Sequence, residues 1–152
     1  MEYKAGAIWA GYLAPWDKIV YAITIGQKYL MENTTLGIPA IIQSEGENFF
    51  LYGLLSRVQS FNRRPGLHGF TDNGTIWPSP IGLAASFNAP LLQEAASTIS
   101  TEAEGLGYSQ LFAPVLDLSR ELRWGRVEEN YGEDPFLYVS ALTAFVQSPT
   151  NH

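Results

Sequence analysis

Apolar residues recur at helical spacing from Trp16 to Glu32, where Trp16, Ile19, Val20, Ile23 and Leu30 fall along one side. Asn33 and Gly37 end this predicted helix. The next run, Ile38-Pro39-Ala40-Ile41-Ile42-Gln43, is short and almost continuously apolar, the pattern of a strand covered on both faces. A second helix is marked more strongly. Asn88 suits its cap, Pro90 its first turn, and Leu92, Ala95, Ala96, Ile99, Ala103 and Leu106 form one stripe before Gly105 and Gly107 stop it. A second buried-strand run, Leu111 to Leu116, leads to Asp117. Residues 118–134 then predict a charged loop, and Asp134-Pro135 a cap and first turn for a third helix running towards Phe145.

Helices alternating with strands of this kind predict an α/β fold with parallel strands and covering helices. A (β/α)8 barrel takes roughly 250 residues, about 30 per unit. The chain has 152 residues. It is expected to be a partial (β/α)8 TIM-barrel fragment, too short to close. Residues 1–15 are expected to be a lead without a barrel strand, and 147–152 a tail.

Composition narrows the function more than the fold. With four Trp, eight Tyr and eight Phe the chain has ample core-forming surface, so disorder is not expected. A net charge of −6 argues against nucleic acid or an anionic membrane surface as partner. The longest apolar run, Phe49 to Leu55, is far shorter than the roughly 18 residues a membrane helix needs. Zero Cys excludes thiol chemistry and Cys-type zinc sites, and two His leave little for a His-built metal site, so no metal is expected.

Two places offer chemistry. The first strand runs into Gln43-Ser44-Glu45-Gly46, and a carboxylate at the carboxyl end of a parallel strand can face a ligand or cap the next turn. The loop after Asp117 sets Trp124 between Arg123 and Arg126, with Glu128, Glu129 and Glu133 following. A guanidinium fork beside an indole face suits a polyhydroxylated ring; a solvated loop accounts for the charge but poorly for the Trp. Asp117, Glu128, Glu129 and Glu133 could also be weighed as a hard-cation site, but repeated acidic ligands at loop spacing are missing.

Taken together, Glu45-Gly46, Leu67-His68-Gly69-Phe70, the stretch Trp77 to Asn88, Phe112 to Asp117, and Arg123-Trp124-Gly125-Arg126 with Glu129 and Gly132-Glu133-Asp134-Pro135 make the chain resemble the N-terminal domain of glycoside hydrolase family 3, β-glucosidase type. The resemblance places a partial domain at 16–146. It implies a small carbohydrate, a β-glucoside, as substrate, and no organic cofactor. It implies that Glu45 and Arg126 bind the sugar in the −1 subsite, and that His68, Asp117, Trp124 and Glu129 support them, His68 structurally and Asp117 and Glu129 by orienting Arg126. A secreted parent is compatible with the sequons Asn33/Thr35 and Asn73/Thr75.

The chain also departs from the family. Retaining glycosidases need a nucleophile and an acid/base carboxylate about 5–5.5 Å apart. Neither the family's Lys-His pair nor its Ser-Asp-Trp-like nucleophile stretch occurs, so no catalytic residue is assigned here. The expectation is a fragment of a retaining, exo-acting β-glucosidase, inactive by itself; the alternative is a non-catalytic sugar-binding or structural fragment. Residues 47–66 interrupt a motif that is contiguous in the family. They suit either a translated intron or a true insertion.

Overall fold

The computed structural model describes residues 6–10, 14–45, 75 and 77–146. The insert 47–66, the tail 147–152, Asn73 and His68 lie outside the described residues. The described chain is an α/β unit. A parallel three-stranded sheet, ordered β1 (Ala7–Trp9), β2 (Ile41–Ser44) and β3 (Gln110–Leu111), is joined by α1 (Trp16–Asn33), and by α2 (Pro80–Ala84) and α3 (Ala89–Leu106). A 3-10 turn (Val127–Glu129) and α4 (Pro135–Val146) follow.

β1 corrects the expectation that the first 15 residues hold no strand. Ala7, Ile8 and Trp9 pair in parallel with Ile41, Ile42 and Gln43. Three exposed residues carry no alternation that a sequence pattern could detect. The other strands are shorter than predicted. Pro39 has no N–H for a ladder, and the neighbouring Ala40 is instead clamped by the Gln27 side chain, whose Nε2 donates to the Ala40 carbonyl at 2.7 Å while its Oε1 accepts from the Ala40 N–H at 2.9 Å. Likewise Pro114, after a cis peptide bond, lies beyond the end of β3.

Helix α3 follows the expected pattern closely. Asn88 caps it, its side chain accepting from the Leu91 N–H at 3.1 Å. All six stripe residues from Leu92 to Leu106 are buried. Gly107 closes it in the left-handed region (φ 88°), with the Tyr108 N–H on the Ala103 carbonyl at 3.0 Å and the Gly107 N–H on that of Glu104 at 2.9 Å. A Cβ at Gly107 would stand 2.9 Å from Cγ2 of Ile23, so the glycine also lets α1 approach α3. In α1 only Ile19 is buried; Ile23 and Leu30 pack against the core, whereas Trp16 and Val20 are over a third exposed.

The helices cover one face of the sheet. Ala40 and Ile42 pack with Ile19, Ala103, Leu106 and Tyr108 in the main core cluster. Ile41, pointing the other way, is 48% exposed, which corrects the expectation of a strand covered on both faces. A second cluster of Ala84, Leu92, Tyr131 and Tyr138 seats α2, α3 and α4 around the loop that follows β3.

Candidate functional site

Side chains alternate along a strand, and laterally paired residues share a face. Gln43 and, two residues on, Glu45 therefore lie on the open face with Trp9 and Gln110, the register partners of Gln43. Gln43 Nε2 donates to Gln110 Oε1 at 2.8 Å, a polar rung across β2 and β3. Glu45 stands just past the carboxyl end of β2, and the Trp9 side chain hydrogen-bonds to it.

Residues 118–134 are more ordered than a solvated loop. Ser119, Glu129 and Asn130 are buried, and Ser119 hydrogen-bonds through its hydroxyl to the Asn130 side chain. Asn130 Oδ1 also accepts from the Gly132 N–H at 3.1 Å, while the Ser119 N–H reaches the Gly132 carbonyl at 3.1 Å. These bonds fold the loop back on itself and present Arg126 at its rim.

Among the described residues, Arg126 is hydrogen-bonded by Glu129 alone. Its Nε and Nη2 both donate to Glu129 Oε2, at 2.9 and 2.6 Å. The Glu129 side chain is 3% exposed and that of Arg126 52%, so the ion pair has a buried end and a solvent-facing end. Two of the five N–H groups of Arg126 are thus used, and the others can serve a ligand. The Glu129 hydrogen bond raises the Arg126 guanidinium above its usual range, and the charges of Glu45 and Asp117 add to the rise. Arg123 differs in kind. It forms an exposed fork with Glu121, at 2.9 and 2.7 Å, and this fork lowers the Glu121 carboxyl to about 2. Trp124 is half-buried in the turn, its N–H on the Glu121 carbonyl at 3.0 Å.

The structure therefore brings together Glu45, Arg126, Glu129 and Asp117, with Trp124 in the same loop; His68 is outside the described residues. Sequence reasoning missed Trp9, whose position depends on the β1–β2 register. Among the described residues no three His, Asp or Glu side chains are arranged to hold a metal ion, and no helix is long and apolar enough to cross a membrane.

Burial raises the Glu45 carboxyl above its usual range; the Trp9 hydrogen bond and the Arg126 charge oppose the rise, and the Glu129 charge adds to it. A raised carboxyl penalises the folded chain once Glu45 is charged. The penalty is absent below the ordinary carboxylate pKa and complete above the raised one. Glu45→Gln is therefore expected to stabilise the chain at neutral pH and so raise its Tm, by less than about 1 kcal/mol in stability because the group is partly solvated. The gain should vanish as the pH falls through the Glu45 titration, in thermal melts run at several pH values.

Comparison with known proteins gives a consistent picture. The model of the glycosyl hydrolase family 3 N-terminal domain matches residues 2–149. The chain is 32% identical over 116 residues to a β-xylosidase of Formosa agariphila, covering 76% of this chain and 14% of that one. It is 30% identical over 124 residues to a periplasmic β-glucosidase/β-xylosidase of Dickeya chrysanthemi, covering 80% of this chain and 17% of that one. The chain thus spans less than a fifth of the length of these relatives. Among solved structures it is similar to a β-glucosidase from Listeria innocua. The isofagomine complex superposes with a TM-score of 0.69 at 25% identity, over 97% of this chain and 16% of that one. The glucose complex does so with a TM-score of 0.61 at 28% identity, over 82% and 14%.

Proposed function

The chain belongs to glycosyl hydrolase family 3, through its N-terminal domain, and from that premise we propose that it is the sugar-holding part of a retaining, exo-acting β-glucosidase acting on terminal non-reducing β-D-glucosyl residues. Glu45 accepts hydrogen bonds from the hydroxyls of the terminal sugar. Arg126 donates to the same ring, with Glu129 holding the inner side of the guanidinium and Asp117 adding negative charge near it. The Listeria innocua relative, solved with glucose, supports a monosaccharide as the ligand.

The observation that carries this reading is the convergence of Glu45 and Arg126 from two strand-end segments into one electrostatic neighbourhood. A carboxylate and a half-exposed guanidinium supply acceptors and donors together. The hydroxyls of a pyranose need both. The reaction also requires a nucleophile and an acid/base pair. Glu129 is committed to Arg126, and Glu121 to Arg123, so we assign both catalytic carboxylates to segments of the enzyme other than this one. No organic cofactor enters the chemistry.

Calorimetric titration of the chain with glucose, beside an aryl β-glucoside assay, tests the proposal. Glucose binding that is lost in Glu45→Ala, without turnover by the parent chain, is expected. Turnover by the purified chain would overturn the assignment of the catalytic pair, and absence of glucose binding by the folded chain would overturn the sugar site.

A further inference from the structure

Trp9 has no role in the reading above beyond its nearness to Glu45, yet its placement is specific. It is the last residue of β1, in register with Gln43 and on the face that Glu45 shares. It is a large apolar residue left 39% exposed at the carboxyl end of the sheet. The residue that follows it is held by two bonds, the Ala10 N–H donating to the Gln43 carbonyl at 2.8 Å and the Ala10 carbonyl accepting from the Tyr108 hydroxyl at 3.0 Å. The one polar atom of its indole is a donor.

We infer that Trp9 is a positioning residue for the sugar site, its indole N–H holding the Glu45 carboxylate so that the other lone pairs of that group face the ligand. The inference rests on the sugar-binding reading for the identity of the ligand, but the link from Trp9 to Glu45 stands apart from it. A carboxylate at a strand end can turn about its side-chain torsions. A donor on the neighbouring strand removes that freedom before the ligand arrives and favours the charged form, which alone accepts at every oxygen lone pair. The charged groups facing Glu45 are Arg126, which also favours its charge, and Glu129, which opposes it. Asp117 acts on Arg126. Unlike these charged groups, Trp9 comes from a strand of the sheet.

The test replaces Trp9 by Phe and, to remove only the donor, by benzothienylalanine, in which sulfur stands for the indole N–H. The Glu45 titration is followed by NMR on selectively labelled glutamate, and glucose affinity by calorimetry across pH. Both replacements should move the Glu45 midpoint upward, shift the acid limb of glucose binding with it, and weaken glucose binding about tenfold at neutral pH, the worth of one charge-assisted hydrogen bond. An unmoved Glu45 midpoint in the benzothienylalanine variant overturns the inference even if Trp9→Phe unfolds the chain. A shifted midpoint in a chain whose parent form never binds glucose supports the Trp9–Glu45 link and overturns the sugar reading.

Discussion

Replacing Arg126 by Met should destabilise the chain by about 2–3 kcal/mol and abolish measurable glucose binding. The cause lies at the other end of the ion pair. Glu129 is 3% exposed, its Oε2 takes both bonds from Arg126, and its Oε1 is buried with no partner among the described residues. Removing the guanidinium leaves a buried carboxylate with no compensating charge. The figure sits at or below the low end of the range for broken buried pairs because the Arg126 side chain is half in water. Adding Glu129→Leu to Arg126→Met should recover most of the stability but none of the glucose affinity, which separates the structural part of the pair from the ligand-facing part. Equal losses in the single and double variants, in urea unfolding, would show that Glu129 is not the reason.

The second large effect is expected at Leu106. It is 2% exposed at the end of α3, in the cluster with Ile19, Ala40, Ile42, Ala103 and Tyr108. Leu106→Ala should cost about 3 kcal/mol through lost burial and the cavity left beneath β2. Leu122→Ala, at a residue 79% exposed, should change stability by less than about 0.5 kcal/mol. Because Ile42 sits over the same cluster and Glu45 follows three residues later, the Leu106 variant should also weaken glucose binding, although it is remote from the ligand. An undiminished affinity would mean that β2 is held by its neighbours in the sheet and not by α3.

How much of this was legible in the sequence depended on how local the cause was. Asn88, the stripe to Leu106 and Gly107 together specify α3, because cap, periodicity and left-handed stop are all properties of neighbouring residues. The same logic would have found α2, where Ser79 caps and Pro80 begins the helix, but five residues give no period to read. α1 was harder. Its stripe includes Trp16 and Val20, which this chain leaves over a third exposed, so apolar spacing marked the helix correctly but not the width of its buried side. β1 was illegible, since three residues earn their place only through partners 34 positions away.

The site divides in the same manner. Glu45, Arg126 and Glu129 stand in motifs that can be recognised residue by residue, and the structure gathers them. Trp9 carries no motif; only the strand register reveals it. The charge of the loop at 118–134 was plain, but its order was not. That order comes from Ser119, Asn130 and Gly132 bonding back to one another, and nothing in their separate identities announces it.

The position of β2 between its two neighbours has a kinetic side. Ala7 meets Ile41 across 34 residues, whereas the Ile42 N–H meets the Ser109 hydroxyl across 67. Doubling the length of a closing segment adds only about 0.6 kcal/mol of chain entropy. Even so, the shorter circuit should zip first and supply the template on which the longer one docks. Trp9 and Glu45 both belong to that earlier circuit, so one edge of the ligand cradle would be assembled before Arg126 swings in to complete it.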